Sequence, residues 1–158
     1  MSGPRAAVLT VSDSSAAGSR ADLSGPAVAQ ALKEKFEVVK TEIVADDQQA
    51  ITAALRRLAA EADLVITTGG TGVAPRDVTP EATRAVSSRL LDGIPERMRA
   101  EGSKKTPLAV LSRGVCAVLG KSLILNLPGS PKGAVDSLNA VLDVLPHAID
   151  LLHGKTRH

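Results

Sequence analysis

Short apolar runs and amphipathic stripes alternate along this chain. Residues 6–11, Ala-Ala-Val-Leu-Thr-Val, read as a buried strand. Ser24-Gly25-Pro26 then supplies an N-cap and an early proline for a helix that places Val28, Ala31 and Leu32 on one face. Residues 38–44 form the second predicted strand. Asp46 and Asp47 can each cap the helix that follows, whose Ile51, Leu55 and Leu58 recur at i, i+4 and i+7 and whose stripe ends near Glu61. Residues 64–67 make the third strand. Helices are predicted from Thr79 to about Arg89 and over 95–102, and strands over 108–111 and 122–127. A long last helix starts at Ser130-Pro131 and buries Val135, Leu138, Leu142 and Leu145, flanked by Val141 and Ile149. Strand–helix alternation of this kind predicts a mostly parallel sheet, covered by helices on both sides through right-handed crossovers.

In that arrangement the polar residues sort unequally between the two edges of the sheet. Loops leaving strands carry Ser12-Asp13-Ser14, Asp46-Asp47, residues 68–79 and Asn126-Leu127-Pro128-Gly129-Ser130, whereas the return turns carry solvated charges such as Lys33-Glu34-Lys35, Glu61 and Asp63. Open parallel sheets bind ligands outside the carboxyl ends of their strands, so four loops of chemically useful residues converge on one edge.

The densest of them is Thr67-Thr68-Gly69-Gly70-Thr71-Gly72, followed by Pro75-Arg76-Asp77-Val78-Thr79-Pro80-Glu81. Glycines let bare backbone approach a ligand, and backbone N–H groups can hold phosphate oxygens. A carboxylate beside such a loop is explained if a divalent cation bridges the two negative groups. Asp46 and Asp77, from separate strand ends, could share one Mg²⁺, which prefers few carboxylates together with waters and phosphate oxygens. The plainer alternatives are a tight turn for the glycines and a helix cap for Asp46.

Composition narrows the field. The chain has 158 residues, 44% hydrophobic and 23% charged, which suits one globular domain over 1–158. A net charge of +2 without basic runs does not suggest nucleic acid, and Phe36 as the only aromatic offers no stacking platform for bases. Cys116 is single, so no intramolecular disulfide or cysteine cluster forms; it reads as a small core residue in a reducing compartment. The start of the chain lacks a signal-like or spanning apolar segment, and a cytoplasmic protein free of the membrane is expected. Gly120-Lys121-Ser122 misses the P-loop spacing, because the required first glycine falls on Val115, with Gly114 one place off. His147, His153 and His158 lack partners at metal-ligand spacing, and no Gly-x-Ser-x-Gly elbow supports covalent serine catalysis.

Leu9-Thr10-Val11-Ser12-Asp13, Ser24-Gly25-Pro26, the glycine loop, Arg76-Asp77-Val78-Thr79-Pro80-Glu81-Ala82-Thr83, Leu111-Ser112-Arg113 and Leu125-Asn126-Leu127-Pro128-Gly129-Ser130-Pro131 resemble the molybdopterin adenylyltransferase family of molybdenum cofactor biosynthesis, of the bacterial MogA type and of the G domain of gephyrin. The resemblance runs from about Ala6 to Leu152. It implies a three-layer α/β/α sandwich, Rossmann-like, a homotrimer, and adenylylation of molybdopterin by Mg-ATP with release of pyrophosphate. A molybdenum insertase is then the candidate recipient of the product. Asp46 and Asp77 match the acidic residues tied to Mg-ATP and catalysis, and Gly69, Gly70, Thr71, Gly72 and Arg76 match the nucleotide loop. Ser112 and Asn126 match positions associated with the pterin, and Ser12, Asp13, Pro128 and Gly129 complete the expected substrate side. Ala45 stands where the family usually has proline, which loosens the loop before Asp46.

Such a reaction needs no side-chain nucleophile: the terminal phosphate of molybdopterin attacks the α-phosphorus of ATP in line, and the protein positions two polyanions. Two other classes remain open. One is a nucleotide pyrophosphatase of the competence-damage family, which resembles Gly-Gly-Leu-Gly with paired aspartates where this chain has Thr71 and a single Asp77 after Arg76. The other is a module that binds pterin without adenylylating it.

Overall fold

The computed structural model describes residues 3–155. Its strands are β1 (Arg5–Val11), β2 (Glu37–Val44), β3 (Leu64–Thr68), β4 (Arg89–Leu90), β5 (Cys116–Leu119) and β6 (Ser122–Leu127). They form one sheet in the order β2-β1-β3-β6-β5-β4. β1 runs parallel to β2 and β3, and β3 parallel to β6; β5 is antiparallel to both β6 and β4.

The helices are α1 (Asp13–Ala16), α2 (Ser24–Leu32), α3 (Gln48–Ala59), α4 (Thr79–Val86), α5 (Gly93–Ser103), α6 (Pro131–Val141) and α7 (Leu145–Leu152). Alternation along the strands divides the core in two, since successive side chains of a strand face opposite sides of the sheet. Ala6, Val8, Leu64, Ile66, Leu123 and Leu125 pack with Val28 of α2, Met98 of α5, Leu138 of α6 and Ile149 of α7. On the other face Ala7, Leu9, Val11, Val65 and Ile124 pack with Ile51, Leu55 and Leu58 of α3 and Ala82 and Val86 of α4. The result is the three-layer α/β/α sandwich with a mostly parallel sheet that the alternation predicts.

Several elements differ from the sequence expectation. The apolar stretch 108–111 is no strand: Pro107–Leu111 is a single 3-10 helix, capped by Thr106, whose Oγ1 accepts from Leu108 N, and its Leu108 and Val110 are exposed. The strand in this region is β5, which fills the place between β6 and β4. The long last helix is two helices, because Pro146 in the first turn of α7 cannot donate to the preceding turn. Val135 is only half-buried, while Ala134 and Val141 are fully buried. Ser24 does not cap α2; Asp22 does that service, its Oδ1 accepting from Gly25 N at 3.0 Å. The α4 helix stops at Val86, which leaves Arg89 free to begin β4.

At the edge opposite the four loops, Asp63 is not merely solvated: its carboxylate accepts from Arg5 N at 2.9 Å and pairs with His153 Nε2 at 3.2 Å. His158 lies outside the described residues. Among the described residues, no helix is long and apolar enough to cross a membrane.

Candidate active site

β1, β2, β3 and β6 end in register at one edge of the sheet, and the loops that leave them enclose two cavities of about 550 and 440 Å³. The larger opens against α5, the 3-10 helix and α6; the smaller lies beside α1 and the start of α2. Gly70, Asp77, Gly129 and Ser130 border both, so the cavities meet across a shared ridge.

The glycine loop builds that ridge. Gly69 and Gly70 have φ of 106° and 69°, a region that side chains other than glycine rarely adopt. A Cβ on Gly70 would collide with Thr79 Oγ1 and lie 3.0 Å from Asp46 Oδ1. Thr79 pins the loop from the start of α4, its Oγ1 donating to Gly69 O at 2.9 Å and its N to Gly70 O at 3.1 Å. Thr68 Oγ1 ties the end of β3 to Pro128 O at 2.7 Å. The N–H groups of Gly70, Thr71 and Gly72 meet no protein acceptor among the described residues, which leaves three donors for an anion.

Two carboxylates lie against this loop. Asp47 caps α3, its Oδ2 accepting from Ala50 N at 2.9 Å, and Asp46 is thereby released from the capping role and borders the smaller cavity. Asp46 Oδ2 accepts from Asp13 N at 2.9 Å, and Asp13 Oδ1 accepts from Asp46 N at 2.9 Å. Burial raises the Asp46 carboxyl above the usual carboxylate range; the backbone bond from Asp13 opposes this, and the charges of Asp13 and Asp77 add to it. Asp77 does not cap α4, whose N-cap is Val78. Its Oδ2 accepts from Ala74 N at 3.0 Å and would lie 2.9 Å from a Cβ on Gly72.

No group of three or more His, Cys, Asp or Glu among the described residues could hold a metal ion. The two carboxylates beside orphan amides fit Mg²⁺ nevertheless, because that ion keeps waters and takes phosphate oxygens rather than a full protein cage. Burial is the main cause of the raised Asp46 carboxyl, and the charges of Asp13 and then Asp77 add smaller contributions, so a cation bound near Asp46 would favour its charged form.

Other expected residues sort clearly. Ser12 borders the smaller cavity and caps α1, its Oγ accepting from Ser15 N at 3.2 Å. Asp13 borders neither cavity: it is locked to Asp46 and gripped by the Arg76 fork, with Nε and Nη2 at 3.0 and 2.8 Å from Oδ2. The Arg76 hydrogen bond comes first among the influences that lower the Asp13 carboxyl. Arg76 therefore does not reach into the nucleotide loop's cavity, contrary to expectation; its guanidinium is taken by Asp13. Ser112, Pro128 and Gly129 border the larger cavity, and Thr71 and Gly72 line it from the loop.

Asn126 is the largest departure. It is fully buried inside β6, away from both cavities, with Nδ2 donating to Thr67 Oγ1 at 2.9 Å and Thr83 Oγ1 at 3.0 Å, and Oδ1 accepting from Val115 N at 3.2 Å. Both amide protons are used, so its side chain braces β3, α4 and the approach to β5 instead of facing a substrate.

Sequence reasoning missed Asp22, Arg99, Lys105 and Arg113. Asp22 borders the smaller cavity and accepts from Thr10 Oγ1 at 2.8 Å; its spacing of three before Gly25 is a capping signal that could have found it. Arg99 and Lys105 bring positive charge to the larger cavity. Arg113 sits beside Ser112 in a recognised motif, but nothing local announces that its partners are 32 to 41 residues away.

Fold and site together define an α/β protein with a two-part ligand site at the carboxyl edge of a mostly parallel sheet. The chain belongs to the family described as "Probable molybdopterin binding domain", whose model matches residues 7–147. It is 43% identical over 155 residues to a molybdopterin adenylyltransferase of Helicobacter pylori, covering 93% of this chain and 86% of that protein. A molybdopterin adenylyltransferase of Escherichia coli is 38% identical over 168 residues, covering 95% and 86%. Among solved structures, the molybdopterin biosynthesis enzyme MoaB of Thermus thermophilus superposes with a TM-score of 0.91 at 52% identity, covering 96% of this chain and 98% of that one.

Proposed function

We propose that this chain is a molybdopterin adenylyltransferase that works with ATP and Mg²⁺. The observation that carries the reading is the shared ridge: two cavities bordered by the same Gly70, Asp77, Gly129 and Ser130 can hold two substrates with their reacting phosphates side by side. Ser112 and the apolar side chains of Met98, Leu108 and Leu111 support reading the larger cavity as the pterin side, with the smaller one for the nucleotide.

On the ridge and the adjoining wall of the larger cavity, the amides of Gly70, Thr71 and Gly72 bind phosphate oxygens as fixed dipoles that need no reorganisation during the reaction. Asp46 and Asp77 would hold Mg²⁺, which when bound supplies positive charge to the phosphates of ATP. A terminal phosphate oxygen of molybdopterin forms a bond to the α-phosphorus of ATP as the bond to the β-phosphate oxygen breaks, and pyrophosphate leaves with the electron pair. The protein's part is placement: the loop amides fix the phosphates that meet at the ridge, Asp46 and Asp77 would hold the Mg²⁺ that binds the nucleotide, and the larger cavity aligns the attacking phosphate while its apolar wall excludes water.

The same reading includes a cytoplasmic homotrimer. Leu108 and Val110, 69% and 64% exposed, are apolar surface available for association. Light scattering would test this, with concentration taken from refractive index because the chain has no Trp or Tyr.

Incubation with molybdopterin, Mg²⁺ and ATP should release pyrophosphate only when molybdopterin is present. Tight pterin binding without release would favour a binding module, and nucleotide hydrolysis without molybdopterin would favour a pyrophosphatase.

A further inference from the structure

We propose that Arg113 is the positioning residue for Asp77, its guanidinium stapling together the two ends of the 72–77 loop; the proposal rests on the reading that Asp77 serves adenylylation. Arg113 borders neither cavity, so its side chain bears on the site through the loop it holds. Its Nε donates to Gly72 O at 2.8 Å, where the loop leaves the glycine run, and its Nη2 donates to Asp77 O at 2.9 Å, where the loop ends. Its backbone N donates to Thr71 O at 2.8 Å, one residue before the staple.

The guanidinium is itself held in plane. Glu81, in the first turn of α4, accepts from Nη1 at 2.6 Å and from Nη2 at 3.3 Å. The backbone around Arg113 is anchored in turn by Arg99 of α5, whose Nη1 donates to Ser112 O at 3.4 Å and Gly114 O at 3.1 Å. An unbroken chain of bonds thus runs from two helices through Arg113 to the backbone of Asp77.

The remaining restraints on the loop are weaker anchors. Apart from the Arg113 bond, Ala74 and Asp77 bond each other within the loop, and Arg76 reaches Asp13 through a pair that is largely solvent-exposed. Only the Arg113 side chain joins both ends of the loop to the body of the protein among the described residues. A planar fork can address two carbonyls and a carboxylate together; a lysine ammonium, being a point charge on a flexible stem, cannot hold that geometry.

The test uses Arg113→Met, Arg113→Lys and Arg113→Ala in the full chain. The expected result for Arg113→Met and Arg113→Lys is a fall in kcat of about 100-fold, the scale of a misplaced catalytic group, with KM for molybdopterin within about twofold of wild type. Methylguanidinium added to Arg113→Ala should restore part of the lost kcat, and should do nothing for Asp77→Asn. Amide exchange should speed up in the 72–77 loop of Arg113→Lys while the strands keep wild-type protection. Full kcat in Arg113→Lys, or unchanged exchange in the loop, would overturn the proposal, as would general loss of protection across the sheet in Arg113→Met and Arg113→Lys alike. Wild-type protein that releases no pyrophosphate would sink the adenylyltransferase reading instead, and the exchange measurement would still judge the staple.

Discussion

Asp13 and Asp46, on the loops after two neighbouring strands, hold each other by reciprocal bonds in which the backbone N–H of each donates to the other's carboxylate at 2.9 Å. The lock uses Oδ2 of Asp46 and leaves Oδ1 toward Gly70. It also supplies a restraint that the missing proline at position 45 would otherwise give, since Ala45 by itself leaves the backbone freer.

Breaking the lock should therefore cost turnover. Asp13→Ala removes the acceptor for Asp46 N and should lower kcat about tenfold or more through misplacement of Asp46. Asp13→Asn keeps an acceptor and should retain most of the activity. Steady-state pyrophosphate release by the two variants checks this, and equal rates would detach Asp13 from the site.

Asp77→Asn keeps an acceptor for Ala74 N but removes the charge. Stability should change by no more than about 0.5 kcal/mol, while loss of the proposed metal contact should raise the barrier by several kcal/mol, on the order of a thousandfold in rate. Single-turnover release of pyrophosphate with molybdopterin already bound measures it; wild-type rates at saturating Mg²⁺ and ATP would leave Asp77 a loop residue only.

Asn126→Ala should act on the fold before it acts on binding. It strips Val115 N of its acceptor and leaves the Thr67 and Thr83 hydroxyls facing a void, a loss on the order of 3 kcal/mol for buried polar groups. Urea denaturation should show the shift, and calorimetry should show molybdopterin and ATP affinities moving together. Selective loss of molybdopterin would put Asn126 back at the substrate.

Asp46 makes stability depend on pH with an unusual sign for a carboxylate. Its folded pKa is raised, chiefly by burial, above the unfolded value of 3.8, so the folded state binds more protons between the two values. Stability from this group is therefore lost as pH rises through that window, and the cost is fully present at neutral pH. Asp46→Asn should melt higher than wild type at pH 7, with the advantage gone below 3.8, and should be inactive throughout. A lower melting temperature at pH 7 would refute the assignment.

The parts of this structure that can be read from the chain are those with local causes. Buried strands such as β1 and β3 are continuous apolar runs, and α3 carries its stripe at Ile51, Leu55 and Leu58. The edge strand β4 is two residues long and leaves no periodicity to detect. Residues 108–111 look like a strand because they are apolar, but Thr106-Pro107 sets a 3-10 turn that leaves Leu108 and Val110 exposed. Asp46 and Asp47 are equivalent as letters; only the direction of the chain leaving β2 decides that Asp47 caps α3 and Asp46 turns to the loop. Asn126 and Arg113 belong to a further class, since their partners lie on other elements and become visible only when the sheet is closed.

On the proposed reading, the ridge bordered from both sides by Gly70, Asp77, Gly129 and Ser130 also has a kinetic consequence. Two compartments that share a wall can be filled independently, and transfer between them would need both full at once. Initial-rate plots should consequently intersect, as for a ternary complex, and never run parallel. Each substrate, added alone, should bind and wait.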